Sequence, residues 1–398
     1  MSNSERIPKR RFSDFDGEWE QEKFGKIATI INGRAYSQHE LLSKGKYKVL
    51  RVGNFYTNES WYYSNLELDS KYYANNGDLL YTWSATFGPH IWGGDKVIYH
   101  YHIWKVELSD RIDKHYALQL LEKDKSDILS NKNGSTMVHI TKDGMENKLF
   151  MFPEKIEEQT KIGSFLRKLD QCIALHHHKL DKLKNLKKSY LAELFPSEGE
   201  RVPKRRFSGF EGEWKKLKWV DTVDISKEMV NPTTGEYDDM PHIAPGNIES
   251  FSGRILDNVK TVRNEQLISG KFRFRPGDIV YGKINPQLGK YFYARIDGLT
   301  SADAYVLNSK NGLIQEFLFS LIQRDDFYNY SVSVSKRSGM PKINRDELND
   351  YCYLAPNEIE QKQIGLFLLN IDNLLTLQQK KLDKLKNLKK AYLNELFV

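Results

Sequence analysis

The sequence predicts an α+β fold with a pseudo-twofold internal repeat: two similar domains of mixed short strands and helices, separated by two long antiparallel coiled-coil helices. Two repeated segments predict it. The stretch RIPKRRFSDFDGEW (6–19) returns as RVPKRRFSGFEGEW (201–214), with eleven of fourteen positions identical. The segments 163–195 and 365–397 share twenty of thirty-three positions. Between these matched segments lie two stretches that barely resemble one another, which is typical of one scaffold carrying two different surfaces.

We call 6–19 and 201–214 the preambles, and the divergent stretches that follow them the inserts. The predicted organisation is a first preamble and insert (1–152), a long helix (153–196), a linker with the second preamble and insert (197–354), and a second long helix (355–398). The linker composition of Pro196–Pro203 separates the halves.

The long helices are predicted by a heptad stripe. Apolar residues from 162 to 194 and from 364 to 396 step alternately by four and three, interrupted at His176 and Lys187 in one copy and at Gln378 and Lys389 in the other. A stripe this narrow requires a partner helix, and the other copy is the obvious one. A pseudo-twofold axis would pair the helices antiparallel and leave one insert at each end.

Strand character in the inserts predicts mixed α/β domains. GDLLY (77–81) matches GDIVY (277–281), and STMVHI (135–140) aligns with SGMPKI (338–343), so the inserts are interpreted as one ancestral domain with diverged loops. The segments with strand character are 47–52, 79–83, 97–106, 279–283 and 291–296.

Composition restricts the class of protein. The 398 residues are 39% hydrophobic and 28% charged, with a net charge of +7, which is typical of a soluble globular protein. The block KLDKLKNLKK occurs in both long helices and favours a polyanionic partner such as nucleic acid, although a solvated helix face explains it equally well. No signal peptide or membrane span is evident, so we expect a cytoplasmic protein. Two cysteines exclude a disulfide framework, and Cys172 is predicted to be a small core residue.

Motifs for catalysis are weak. Gly277–Lys283 is a near match to a P-loop, but Ile284 replaces the hydroxyl residue that holds magnesium, and the segment has strand character. His176–His178 cannot converge on one metal ion, because consecutive helical residues point about 100° apart. We therefore expect no catalytic, cofactor-binding or metal site in this chain.

Polar and basic residues in corresponding places of the two inserts are candidates for DNA contact, against the alternative of ordinary surface. They follow the GDLLY and GDIVY strands, precede them as a basic run, or form a polar loop before the long helices. The candidates are Lys46, Lys48, Arg51, Thr82, Ser84, Thr86, Lys132, Asn133, Ser135, Thr136, Lys283, Asn285, Gln287, Lys290, Ser335, Lys336, Arg337 and Ser338.

The preambles carry large aromatic residues outside the variable inserts. Two interpretations remain open: packing against the chain's own helices or inserts, and a docking surface that a partner uses twice. The residues are Phe12, Phe15, Trp19, Phe207, Phe210 and Trp214.

The whole chain resembles the DNA-specificity subunit of Type I restriction–modification enzymes. The resemblance is carried by the doubled RRFSxFxGEW preamble, the GDLLY and GDIVY strands, and the STMVHI and SGMPKI loops followed by Pro153 and Pro356. The helix starts IEEQTKIGSFL and IEQKQIGLFL and the ends YLAELF and YLNELF complete it.

The resemblance implies that each insert is a target-recognition domain for one half of a bipartite, asymmetric double-stranded DNA sequence, with the helices setting the spacer. It implies two methyltransferase subunits docked on the repeated segments, and restriction subunits for translocation and cleavage. S-adenosylmethionine, ATP and magnesium would bind those partners and not this non-catalytic chain. The competing hypotheses are a coiled-coil scaffold that binds only protein and a stand-alone methyltransferase or nuclease.

Overall fold

The computed structural model describes residues 6–56, 58–84, 86–131, 140–336 and 339–398. The chain divides into two compact units, 1–175 with 382–398 and 176–381. Each unit therefore combines one insert, the first part of the long helix that follows it, and the last part of the other long helix. Within the described residues, no helix is long and apolar enough to cross a membrane.

Among its described residues, the first unit contains ten strands and three α-helices before the first long helix. In chain order these are β1 Glu20–Lys23, α1 Phe24–Ile27, β2 Ala28–Asn32, β3 Tyr47–Leu50, β4 Tyr62–Ser64, β5 Tyr73–Ala74, β6 Leu79–Thr82, β7 Gly88–Ile91, β8 Val97–Tyr99, β9 Ile103–Leu108, α2 Lys114–Ser130, α3 Lys142–Glu146 and β10 Leu149–Phe152. The long helix α4 spans Ile156–Glu193.

The second unit repeats this plan. Its elements are β11 Lys215–Lys218, α5 Trp219–Thr222, β12 Val223–Ile225, β13 Met229–Val230, β14 Pro241–His242, β15 Lys260–Thr261, α6 Val262–Glu265, β16 Lys271–Phe274, β17 Ile279–Gly282, β18 Tyr291–Tyr293, β19 Gly298–Thr300, β20 Ala304–Ser309, α7 Gln315–Leu321, α8 Asp325–Val334, α9 Arg345–Asn349 and β21 Cys352–Ala355. The second long helix, α10, spans Glu358–Leu396.

Corresponding sheets confirm that the inserts share one fold. The order β2-β9-β6-β7 in the first unit matches β12-β20-β17-β18 in the second. A second sheet, β4-β3-β8-β5, has its counterpart in β13-β16-β19-β14-β15. In each unit one antiparallel pair, β1 with β10 or β11 with β21, joins the start of the insert to its end.

The predicted strands are confirmed in place, although those at 47–52 and 291–296 end earlier, at Leu50 and Tyr293. The stretch predicted as one strand over 97–106 is two strands, β8 and β9, because the chain turns at His100–His102. Cys172 is exposed, so the prediction that it is a core residue is wrong. Its repeat counterpart Leu374 is also largely exposed, so both residues lie outside the heptad stripe.

The long helices pair antiparallel within each unit. In the first, Phe165 packs edge-to-face on Tyr392 at 4.8 Å between ring centroids, and Tyr190 packs the same way on Phe367 at 4.8 Å in the second. The heptad residues are buried or half-buried along both helices, as predicted. The helices begin at Ile156 and Glu358, three residues inside the predicted bounds of 153 and 355 and seven residues before the repeated segments.

Each preamble is joined to its long helix by a bidentate ion pair. The Arg11 guanidinium donates to Glu158 at 2.8 Å through both Nε and Nη2, and Arg206 donates to Glu360 at 2.7 Å in the same way. Glu158 and Glu360 are almost completely buried. A buried carboxylate requires such a partner, so the preamble must stay in place when the long helix is formed.

The adjoining glutamine joins the insert to the helix through backbone atoms. Gln159 accepts from the Asp113 amide at 2.8 Å and donates to the carbonyls of Arg111 and Pro153. Gln361 accepts from the Ile314 amide at 3.0 Å and donates to two carbonyls in the corresponding loop.

One glycine in each helix start allows the closest approach of helix and insert. A Cβ on Gly163 would lie 2.6 Å from the Tyr116 amide nitrogen, and one on Gly365 would lie 2.5 Å from that of Phe317. Only glycine fits there, because the neighbouring atom is backbone and cannot rotate away.

We expect Gly365→Ala to lower the free energy of unfolding by about 2 kcal/mol, because overpacking against backbone costs up to about 3 kcal/mol and the gain in helix propensity is about 1 kcal/mol. Urea unfolding of the chain measures the change. Gly246→Ala is the matched control, since a Cβ there meets nothing within 4 Å. Equal stability of the two variants would contradict the close-packing interpretation.

Candidate nucleic-acid interface

The GDLLY and GDIVY segments form β6 and β17, which are interior strands of corresponding sheets. All residues of both strands are buried. The chain leaves each sheet in the loop that follows, 283–290 in the second unit and 83–87 in the first, where residue 85 lies outside the described residues. Equivalent rigid strands therefore present two loops of different sequence at the same place in each unit. The near P-loop match lies in β17, an antiparallel strand, as its strand character predicted.

The loop 283–290 is fixed by backbone hydrogen bonds. Asn285 adopts a left-handed conformation with φ of 51°, and its amide donates to the Pro341 carbonyl at 2.8 Å. Lys283 donates to Asp303 and accepts from Ile343 through its backbone. Asn285 and Lys283 are half-buried and Gln287 is exposed, so this loop presents polar groups from a fixed backbone.

Three cations gather beside this loop. The Lys283 ammonium lies 5.1 Å from the centre of the Tyr305 ring, and the Arg345 guanidinium lies 5.6 Å from it. Burial lowers the pKa of Lys283, and the nearby charges of Lys342 and Arg345 lower it further, against the opposite effect of Asp303. The sequence analysis missed Lys342 and Arg345, because their association with the loop depends on the fold.

An exposed aromatic residue, also missed, lies against the same loop. Phe251 is 54% exposed, has a φ of 58°, and donates its amide to the Gly289 carbonyl at 2.9 Å. Its ring packs edge-to-face on Tyr328, whose hydroxyl donates to the Gln287 carbonyl at 3.4 Å.

The first unit also has an exposed aromatic residue near its loop. Tyr56 is 43% exposed, and its hydroxyl lies 3.2 Å from Nε2 of His90 on β7, next to the loop 83–87. Phe55 stacks on the His90 ring with 4.1 Å between centroids. A repeated Gly-Asn pair could have indicated both positions: Asn54 and Asn247 each close a 3-10 turn by accepting from the backbone amide three residues earlier.

The basic run of the first insert lies on aromatic side chains. The Arg51 guanidinium lies 4.2 Å from the centre of the Tyr62 ring, and the Lys48 ammonium lies 5.3 Å from the Trp61 ring. Lys46 is exposed and pairs with Glu67. Aromatic faces beside cationic groups suit base stacking and phosphate contact on one surface.

Three predicted DNA contacts are wrong or have a different role. Thr82 is completely buried and donates its hydroxyl to the Gly88 carbonyl at 3.2 Å, and Ser335 is buried and donates to Val332 at 3.0 Å. Both satisfy local backbone and cannot reach a ligand. The Lys290 ammonium donates to the Ile248 carbonyl, so it joins the loop to the turn that carries Phe251.

The remaining candidates divide by exposure. Ser84 is half-buried and Thr86 exposed on the loop after β6, and Lys336 is exposed after α8. The others lie outside the described residues: Lys132, Asn133, Ser135, Thr136, Arg337 and Ser338.

The aromatic residues of the preambles fall into two groups that differ in burial. Trp19 and Trp214 are 1% exposed and belong to the cores of their own units, so their prediction as docking residues is wrong and the packing alternative is right. Phe12 packs on Phe165 at 6.0 Å, as its counterpart Phe207 does on Phe367 at 5.6 Å. All four phenylalanines, including Phe15 and Phe210, remain half-buried and keep an accessible edge.

The pH dependence of stability should report the site around His90. Burial, with the nearby Lys125 charge, lowers the pKa of His90 to about 4 from its ordinary 6.5. The unfolded chain takes up a proton below pH 6.5 and the folded chain does so only near pH 4, so stability falls as the pH drops between these values. For a partly buried ring we expect a loss of about 2 kcal/mol. The loss should be smaller by this amount in His90→Gln, where the lowered pKa of His100 still contributes, and unchanged in His39→Gln, which alters an exposed ring. Urea midpoints from pH 7 to 4 measure it, and parallel curves for the wild type and His90→Gln would contradict it.

Comparison with known proteins identifies the family. The model of the Type I restriction modification DNA specificity domain matches residues 16–185 and 212–387. The chain is 32% identical to the Type I restriction enzyme EcoDI specificity subunit of Escherichia coli over 151 residues, which are 38% of this chain and 33% of that protein. It is 23% identical to the MjaVIII specificity subunit of Methanocaldococcus jannaschii over 345 residues, 81% of this chain and 79% of that protein.

The fold is shared with a solved structure. The crystal structure of the Type I restriction–modification S subunit from M. genitalium aligns with a TM-score of 0.70 at 13% identity, covering 98% of this chain and 99% of that one. Two family matches cover most of the sequence, one on each insert with its long helix. The chain therefore belongs to the family of Type I restriction–modification specificity subunits, which recognise DNA sequence.

Proposed function

We propose that each insert reads one half of a bipartite, asymmetric DNA target, and that the antiparallel helices set the spacer between the half-sites. One observation supports this most strongly. In both units, an exposed aromatic residue shortly after a Gly-Asn turn lies near the loop that follows a buried strand, while the two loops differ in sequence. Two half-sites of different sequence require recognition loops that occupy corresponding positions but carry different side chains.

In the second unit, Lys283, Lys342 and Arg345 would attract phosphates, while Asn285 and Gln287 would reach base edges. Phe251 would stack on a base or insert at a base step. In the first unit, Lys48 and Arg51 would supply the phosphate contacts, with Tyr56 in the place of Phe251.

The chain would act without chemistry of its own. Two methyltransferase subunits would dock on the repeated segments, where Phe12, Phe15, Phe207 and Phe210 keep accessible edges. Those subunits would bring S-adenosylmethionine and methylate adenine, and restriction subunits would bring ATP and magnesium. This chain would bind none of these cofactors directly.

The Lys-rich block of each helix has a smaller part in this proposal. Lys179, Lys182, Lys184 and Lys188 are exposed, whereas Lys187 is buried. The exposed residues form a solvated face of the kind that raises the local concentration of DNA without reading its sequence.

Binding to a cognate duplex should weaken steeply with salt, because phosphate contacts release counterions. A fluorescence titration of the complex with its methyltransferase subunits measures this, and Lys283→Ala should reduce the salt slope by about 1. Lys310→Ala removes an exposed lysine just after β20 and should leave the slope unchanged. Salt-insensitive binding, or no binding at all, would favour the protein-only scaffold.

The spacer function can be tested by lengthening both helices. Seven residues inserted after His178 and after Gln378 keep the heptad stripe in phase and add about 10 Å. We expect the methylated target to gain a spacer of about 3 base pairs, since one pair spans about 3.4 Å, with both half-sites unchanged. The same insertion after Ser197, in the linker, should change neither the spacer length nor the half-sites. Sequencing of methylated adenines reads the result, and altered half-site bases would contradict the proposal.

A further inference from the structure

The polar interruptions of the heptad stripe pair in two ways: His176 and Gln378 bond to each other at 2.9 Å, whereas each lysine bonds to an aspartate of the other copy. Lys187 and Lys389 occupy the same position in the two copies, as do Asp170 and Asp372. In the second unit the Lys187 ammonium donates to Asp372, and in the first the Lys389 ammonium donates to Asp170 at 2.5 Å. Each unit thus contains a lysine from the end of one long helix and an aspartate from the start of the other.

A glutamine from the insert completes each pair. Gln323, just after α7, accepts from Lys187 and lies 3.5 Å from the second Asp372 oxygen through its amide nitrogen. In the first unit Gln119 on α2 donates to Asp170 at 2.8 Å. We call these the Lys–Asp–Gln clusters. Each cluster joins three elements: both long helices and one insert.

The cluster of the second unit is withdrawn from solvent, and that of the first unit is partly so. The side chains of Lys187 and Asp372 are 10% and 11% exposed, and those of Lys389 and Asp170 are 17% and 37% exposed. Burial raises the pKa of Asp372, and the charge of Lys187 opposes this effect. Two charges taken out of water are compensated only when the partners stay opposed.

Apart from the His176–Gln378 hydrogen bond and the helix ends that enter the cores, the rest of the seam does not enforce one alignment. It consists mainly of leucine and isoleucine, which can interdigitate again after a shift of one heptad. After such a shift no lysine would face an aspartate: Asp372 would meet Leu180 or Leu194, and Lys187 would meet Gly365 or Gln379. The clusters therefore penalise wrong alignments far more than they stabilise the correct one, which is the best-attested role of buried polar residues in helix pairs.

We propose that the two Lys–Asp–Gln clusters fix the register of the antiparallel helices and the position of each insert on them. In this way they determine the spacer length of the DNA target. This rests on the proposed function, in which the helices set the spacer. The six residues are positioning residues, since they act through the helices and inserts and contact no DNA. They determine whether targets of a single spacer length are methylated, and they do not affect which bases are read.

The test removes one cluster without leaving a charge unpaired. Lys187→Leu with Asp372→Leu continues the apolar seam, so the chain should stay folded with an unchanged or higher melting temperature. In a host that also makes the methyltransferase subunits, methylation at targets with other spacers should rise by about tenfold, because wrong registers are penalised less when only the Lys389–Asp170 cluster remains. The half-site bases should stay the same.

The matched control is Lys188→Leu, which removes the neighbouring exposed charge and should keep a single spacer. The exchange Lys187→Asp with Asp372→Lys should restore the narrow spacer, because the pair is complementary again. If the double leucine variant does not fold, Lys187→Met with Asp372→Asn keeps similar shapes and takes its place.

The outcomes separate the two proposals. A double variant that is folded and still methylates only the wild-type spacer overturns the role of the clusters and leaves the proposed function intact. Wild-type methylation without a fixed spacer would overturn the proposed function itself. Spacer broadening that the charge exchange reverses supports both.

Discussion

The rest of the structure depends on an exchange of helix ends. In the first unit, Phe397 at the end of α10 packs on Tyr116 at 5.2 Å and on Trp19 at 6.5 Å between ring centroids. In the second, Phe195 at the end of α4 packs on Phe317 at 5.1 Å and on Trp214 at 5.7 Å. Each core is therefore completed by the long helix that follows the other insert. Since buried aromatic residues contribute several kcal/mol each, neither half of the sequence can bury its own core alone.

This exchange explains why the preambles and long helices stay alike while the inserts diverge. The contacts that seat each insert are made largely to its backbone: Gln159 and Gln361 bond amides and carbonyls, and Gly163 and Gly365 pack against amide nitrogens. A backbone atom is present whatever side chain it carries. The inserts can change their surface residues, provided that these few backbone positions remain, so new surfaces arise on an unchanged support.

The sequence predicted what repeats and what is periodic. The heptad stripe located both helices, and the matching GDLLY and GDIVY segments located equivalent strands, because local periodicity reflects burial directly. Exposure of single residues was harder to predict. Thr82 has the composition of a DNA-contact residue and is completely buried, because the strand that carries it lies inside the sheet. Tyr56 and Phe251 are brought beside the loops by turns whose only signal is a repeated Gly-Asn pair, too short to interpret without the fold.

The two long helices carry the same charged residues at corresponding positions, and their charges are compatible with only one pairing direction. A parallel, in-register pair would place Lys187 beside Lys389 and Asp170 beside Asp372, and like charges so close and so buried would be strongly unfavourable. The antiparallel arrangement places each lysine on the aspartate of the other copy. The same arrangement places Phe195 in the core of the second unit and Phe397 in the core of the first. One repeated sequence therefore encodes its own pairing direction, because only the antiparallel pair satisfies the charges and the aromatic cores together.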